Sequence, residues 1–271
     1  MIEIKNVKLG SNLPFVLIAG PCVVESEKIT FTTAEQIKKI TSKLGIPFIF
    51  KSSYKKANRT SIKSFKGLGD SEAINILTNV KKEFDLILLT DVHSIEEVTS
   101  AAEFADVLQI PAFLCRQTEL LVAAGDSGKA INVKKGQFLA PEDMKHAIEK
   151  VESTGNKKIL LTERGSTFGY NNLVVDMRSL VIMKSFGYPI VMDATHSVQL
   201  PGIGGKTGGQ PKFIKPLAKA AAAIGIDALF LEVHPDPANA LSDAESQLHI
   251  SELENLLIEI QQIDSLVKNF K

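Results

Sequence analysis

The chain has 271 residues, long for one ordinary domain and normal for one α/β barrel. It is 44% hydrophobic and 23% charged, as a soluble globular protein with a large core should be. Lys plus Arg total 31 and Asp plus Glu total 31, so no basic excess points to a nucleic-acid partner. No charged-then-apolar leader and no apolar run of about 18 residues is present, so a cytoplasmic location is expected. Two cysteines, Cys22 and Cys115, are too few for a disulfide framework.

In chain order, Met1 to Asn12 come first and are expected to form a hairpin plugging a barrel bottom. Short apolar, β-branched runs then follow at Phe15–Ala19, Pro47–Phe50, Leu86–Thr90, Val107–Ile110, Ala130–Val133, Ile159–Thr162, Ile190–Met192 and Ala228–Leu231. Their nearly continuous apolar character suits parallel strands buried on both faces. Amphipathic stretches lie between them, with Ile29, Ala34, Ile37, Ile40 and Leu44 near helical spacing, and later Ile74, Leu77, Val80 and Phe84. Capping signals stand at Ser94, followed by Glu96 and Glu97, and at Pro141, followed by Glu142 and Asp143. The last helix carries Leu253, Leu256, Leu257, Ile260 and Ile263. Eight strand-then-helix units in this length favour a closed α/β (β/α)8 TIM barrel over an open doubly wound sheet. No repeat, linker or low-complexity tract divides the chain, so residues 1–271 are expected to form a single (β/α)8 catalytic domain.

In such a barrel the active site lies at the C-terminal strand ends. Here every end is polar: Gly20-Pro21-Cys22, Lys51-Ser52-Ser53, Asp91-Val92-His93, Gln109, Lys134-Lys135, Glu163-Arg164-Gly165, Asp193-Ala194-Thr195-His196 and Glu232-Val233-His234. Lys51, Lys56, Arg59, Arg116, Lys134 and Arg164 lie at or just after these ends. Cations are costly to bury without anions, so their clustering at one mouth implies an anionic ligand, best a phosphate. Cys22, His196, Glu232 and Asp243 offer a thiolate, an imidazole and two carboxylates, which suit zinc, iron or manganese better than magnesium or calcium. Their spacing is too wide for a local metal motif, and the residues alone leave Cys115, His93 and His234 as competitors.

Gly204-Gly205-Lys206-Thr207 imitates a phosphate-binding loop, but Leu200 stands where that motif needs a glycine. Residues Pro201 to Gln210 read instead as a βα loop, either a lid or a flexible surface loop.

IAGPCVVES (Ile18–Ser26), KSSYKKANRTS (Lys51–Ser61), LTDVHS (Leu89–Ser94), LQIPAFLCRQT (Leu108–Thr118), INVKKGQF (Ile131–Phe138), TERGSTFGYNNLVVDMR (Thr162–Arg178), DATHSVQLPG (Asp193–Gly202) and LEVHPDP (Leu231–Pro237) occur in that order. Together they resemble the 3-deoxy-D-manno-octulosonate 8-phosphate synthases over essentially the whole chain. The related 3-deoxy-D-arabino-heptulosonate 7-phosphate synthases typically carry a KPRT-like sequence where this chain has KANR at Lys56–Arg59.

The resemblance implies condensation of phosphoenolpyruvate with D-arabinose 5-phosphate, a step toward lipopolysaccharide. It implies that Lys51, Lys134 and Arg164 hold phosphoenolpyruvate, with Gln109, Ala112 and Gln137 nearby. Asn58, Arg59 and Thr60 should hold the sugar phosphate, Thr60 standing where many relatives have Ser, and Lys56 is a further substrate-binding residue. Arg116 should reach a neighbouring subunit's sugar in a homotetramer. Lys51, Asp91, His196 and Cys22 are the expected catalytic set. The metal-independent class carries Asn at the position of Cys22. Cysteine there, with His196, Glu232 and Asp243, selects the metal-dependent class and one divalent Zn, Fe or Mn ion per subunit.

Overall fold

The computed structural model describes residues 1–58, 64–201 and 208–270. The chain starts with an antiparallel hairpin, β1 (Ile2–Ile4) and β2 (Val7–Leu9), with Ile2 opposite Leu9. Strands and helices then alternate: β3 (Val16–Gly20), α1 (Glu27–Leu44), β4 (Phe48–Lys51), α2 (Asp70–Glu83), β5 (Ile87–Asp91), α3 (Ile95–Phe104), β6 (Val107–Ile110), α4 (Thr118–Asp126), β7 (Ala130–Lys134), α5 (Met144–Glu152) and β8 (Ile159–Glu163). A small hairpin, β9 (Ser166–Thr167) and β10 (Leu173–Val174), precedes α6 (Arg178–Lys184) and β11 (Ile190–Asp193). A second, β12 (Gln199–Leu200) with β13 (Gly208–Gly209), precedes α7 (Ile214–Ile224) and β14 (Ala228–His234). β15 (Leu248–His249) and α8 (Leu253–Asn269) complete the chain.

The pairing closes the sheet. β3, β4, β5, β6, β7, β8 and β11 pair in parallel in sequence, and β14 pairs with both β11 and β3. Val191 faces Ala228 across one seam and Val16 faces Ala228 across the other. That makes a closed eight-stranded parallel barrel with intervening helices, as expected from the sequence. β15 adds outside the barrel along the end of β14, Val233 opposite Leu248.

Period-two alternation sorts each strand's side chains into two cores. Leu17, Phe50, Leu88, Leu161 and Leu229 face the helices. Val16, Ile18, Ile49, Leu89, Leu160 and Phe230 fill the barrel interior. Ile2, Ile4, Val7 and Leu9 of the hairpin pack in that same inner cluster, so the hairpin plugs the barrel as expected.

Local signals act where the sequence places them. The Ser94 hydroxyl caps α3, accepting from the Glu97 amide at 3.3 Å. Pro141 opens a short 3-10 turn, and α5 begins three residues later at Met144.

Seven of the eight strands run further than their apolar runs, by one residue in most and by three in β14. Lys51, Asp91, Lys134, Glu163, Asp193 and Glu232 therefore lie within the ladder. Rigid strands aim these side chains, which is what a site needing fixed geometry requires.

Candidate active site

Gly20 makes the first strand end possible. A Cβ there would sit 2.0 Å from the Lys51 carbonyl oxygen, so only glycine lets β3 and β4 approach. Cys22 follows, fully buried, its amide donating to Gln247 Oε1 at 3.4 Å and its Sγ 2.8 Å from Ser242 Oγ. Lys51, on the next strand, donates to the Cys22 carbonyl at 3.1 Å and to Glu232 Oε1 at 2.8 Å.

β14 supplies Glu232, and the outer strand β15 draws the preceding loop over the mouth. That loop carries Asp243 in the left-handed conformation, φ 49°. One ligand atom each from Cys22, Glu232 and Asp243 lies within 4.8 Å of the others. His196 Nε2 stands 3.4 Å from Glu232 and 3.8 Å from Asp243. Its other nitrogen, Nδ1, lies 2.7 Å from Asp193 Oδ2. A carboxylate that accepts a hydrogen bond from Nδ1–H fixes the ring so that Nε2 faces the acidic group.

This donor set fits a divalent ion. One sulfur, one imidazole and two carboxylates are brought to one buried place, and Glu232 Oε2 is buried there without a hydrogen-bond partner. Burial pushes the Cys22 thiol up, and the Asp243 and Glu232 carboxylates push it further. A thiol so placed keeps its proton until a binding cation displaces it, the proton leaving to water. Cys115 is also buried but stands apart from this group, beside Gly136. His234 accepts at Nδ1 from the Asp236 amide at 3.0 Å and lies 3.6 Å from Glu25 through Nε2. Neither competitor joins the acidic cluster.

Beside it opens a cavity of about 270 Å³. Lys51, Lys56, Lys134 and Arg164 line it, as do Asn58, Asp91, Gln109, Ala112, Gln137 and His196. His93, Pro111, Phe113 and Leu114 complete much of its wall. Lys134 donates to Asp193 Oδ2 at 2.5 Å and sits 4.0 Å above the Phe230 ring. Lys135, next in sequence, turns away and donates to Ser166 Oγ at 2.9 Å. Arg164 donates from Nη2 to Gln199 Oε1 at 2.9 Å, and its Nη1 is buried without a partner. Gln137 Oε1 is likewise buried and unpartnered.

The charges are arranged to persist. Burial raises the Asp91 carboxyl, but Lys51 and Lys56 outweigh it and hold Asp91 well below the usual carboxylate range. Glu232 is held low the same way, with burial overcome by His196 and Lys51. Burial lowers Lys134 and Arg164, and Asp193 offsets only part of that. Both cations therefore gain from an arriving anion that restores the favourable surroundings of their charge.

Arg116 is exposed and lines no part of this cavity; its carbonyl accepts from Lys150 at 2.9 Å. Arg59, Thr60 and residues 202–207 of the glycine-rich loop lie outside the described residues. Two residues of the site are not apparent from the sequence: Asp193, the partner of His196 and Lys134, and Gln199, the bridge from Arg164 to Asp243, to which its Nε2 donates at 3.0 Å. Asp193 had a usable signal, a carboxylate three residues before a strand-end histidine. Gln199 had none until the barrel closed.

A barrel mouth that pairs a cationic cavity with a buried thiol, imidazole and carboxylate cluster defines a (β/α)8 enzyme acting on small anionic substrates. The profile of the DAHP synthetase I family matches residues 1–269. A 2-dehydro-3-deoxyphosphooctonate aldolase of Trichlorobacter lovleyi is 56% identical over 268 residues, 98% of each chain. Enzymes of the same name from Rickettsia felis, 54% identical over 269 residues, and Geobacter metallireducens, 55% over 268, cover 98% or more of both chains. The chain belongs to the DAHP synthetase I family and, within it, to the 2-dehydro-3-deoxyphosphooctonate aldolases.

Proposed function

We propose that this chain condenses phosphoenolpyruvate with D-arabinose 5-phosphate and water, giving 3-deoxy-D-manno-octulosonate 8-phosphate and inorganic phosphate for lipopolysaccharide biosynthesis. The carrying observation is the mouth itself. Lys51, Lys134 and Arg164 line one cavity, with Arg164 Nη1 buried and unpartnered, directly beside the Cys22, Glu232 and Asp243 cluster.

Lys134 and Arg164 bind the phosphate and carboxylate of phosphoenolpyruvate, with Lys51, Gln109, Gln137 and the Ala112 backbone around them. Lys56, Asn58, Arg59 and Thr60 take the sugar phosphate, and Asp91 orients the sugar. The enol C3 attacks the aldehyde carbon, whose oxygen becomes a hydroxyl. Water adds to C2, and the resulting phosphohemiketal loses phosphate by C–O cleavage. Fixed cations in a preorganised mouth stabilise the charge that shifts toward phosphate.

Cys22, His196, Glu232 and Asp243 would hold one divalent Zn, Fe or Mn ion, and we read the chain as a member of the metal-dependent class. Such an ion would supply Lewis acidity and a fixed positive charge beside the cavity. Exposed Arg116 completes a neighbour's sugar-phosphate site in a homotetramer. No helix among the described residues is long and apolar enough to cross a membrane, and we assign the enzyme to the cytoplasm.

The test is phosphate release from phosphoenolpyruvate with either of two aldose phosphates. Arabinose 5-phosphate should support turnover and erythrose 4-phosphate should not. Preference for erythrose 4-phosphate would move the chain to the heptulosonate branch, and phosphoenolpyruvate binding without release would make it a sensor.

A further inference from the structure

One layer inside the mouth, side chains from adjacent strands join in a single hydrogen-bonded arc. The Thr162 hydroxyl donates to Asn132 Oδ1 at 2.6 Å. Asn132 Nδ2 donates to Gln109 Oε1 at 2.8 Å, and Gln109 Nε2 donates to Asp91 Oδ1. From the other side the Ser53 hydroxyl donates to Asp91 Oδ2. Asp91, Gln109 and Asn132 are in direct register across β5, β6 and β7. All five side chains are buried.

Every donor in this arc points toward Asp91. An amide is symmetric in shape but not in polarity, so its direction depends on its neighbours. An ionised carboxylate only accepts, which forces Gln109 to present Nε2 to it and Oε1 to Asn132. Asn132 must then donate, and its Oδ1 needs the Thr162 hydroxyl proton. Turning Gln109 would set its Oε1 against the Asp91 carboxylate, and turning Asn132 would set its Oδ1 against Gln109 Oε1, in each case two acceptors without a proton between them. Such aligned chains strengthen each bond by polarisation.

Asp91 and Gln109 line the cavity; Asn132 and Thr162 do not. We propose that Asn132 and Thr162 are positioning residues: they fix the Gln109 amide and through it hold the Asp91 carboxylate in the one orientation that meets the aldose phosphate. The inference rests on the condensation activity above. Failure of that activity would show in the wild-type enzyme, whereas failure of this inference shows only in the variants.

Asn132→Asp is nearly isosteric and breaks the arc, because a carboxylate at 132 cannot donate to Gln109. Either direction of the Gln109 amide then sets its Oε1 against a carboxylate. Thr162→Val removes only the terminal proton, and Thr162→Ser keeps it. The lost hydrogen bond in Thr162→Val should lower kcat/KM for the aldose phosphate by about tenfold. The broken arc in Asn132→Asp should lower it by roughly a hundredfold or more. Thr162→Ser should stay within about twofold of wild type, and calorimetric phosphoenolpyruvate affinity should stay within about threefold in both Thr162 variants, where the Gln109 amide keeps its direction. If Asn132→Asp does not fold, the Val and Ser pair at 162 decides alone. Val kinetics equal to those of Ser, wild-type turnover by a folded Asn132→Asp enzyme, or a parallel loss of phosphoenolpyruvate affinity in Thr162→Val would each overturn the proposal.

Discussion

Glu97, one turn into α3, gathers donors from three places. The Tyr54 hydroxyl reaches it at 2.8 Å, the His93 amide at 2.9 Å and the Lys55 ammonium at 2.8 Å. Burial raises its carboxyl, but these partners, His93 first, bring it down from the ordinary 4.5 to about 2. A carboxyl held lower in the folded chain stabilises the fold above pH 4.5, and that contribution disappears as pH falls through about 2. Glu97→Gln should therefore lower the urea midpoint at neutral pH, with the gap to wild type closing between pH 4.5 and about 2 in equilibrium titrations. A gap independent of pH would mean that shape rather than charge holds this corner. The same scale shows what single residues reveal. Cys22 was legible as a thiol at a strand end; the residues alone left Cys115 as a rival, the family resemblance favoured Cys22, and the fold brings it to Glu232 and Asp243. Asn132 and Thr162 were unreadable as site-supporting residues, because each looks like an ordinary polar interruption of an apolar strand. Their meaning lies in partners 23 and 30 residues away.

The elements were legible because each carries its own periodicity. Apolar runs marked all eight barrel strands, and Ser94 marked the start of α3. The far strand ends were less visible, because residues such as Asp193 and Glu232 continue the ladder while turning polar groups into the mouth. Residue polarity changes there, while burial and backbone geometry do not. β15 and the small hairpins at β9 and β12 were not foreseen; two-residue strands have too little pattern to be distinguished from turns. The opening hairpin was foreseen and has a measurable role. Leu9 is fully buried in the inner core. Leu9→Ala should cost about 2–5 kcal/mol of stability by chemical denaturation, while aldose-phosphate KM stays near wild type because the hairpin sits at the end opposite the mouth. A stability change within about 0.5 kcal/mol would mean that the plug is not part of the cooperative core.

At the scale of the whole molecule, closure of the barrel does most of the functional work. Cys22 and Asp243 stand far apart in sequence and meet because β14 pairs with β3 and with β15. Closure also gathers Lys51 and Lys134 over one Phe230 ring, at 5.6 and 4.0 Å, with Glu232 and Asp193 as their anions. The balance of 31 acidic and 31 basic residues thus hides a mouth of dense, paired charge. Cations line the cavity and the Cys22, Glu232 and Asp243 cluster stands beside it; the function proposed above gives the cations to phosphate and the cluster to an ion. Arabinose 5-phosphate-dependent phosphate release from phosphoenolpyruvate, measured on protein stripped by chelation and then reloaded with manganese, zinc or ferrous iron, tests that division directly. Release should vanish on stripping and return on reloading; full release by exhaustively stripped protein would contradict it.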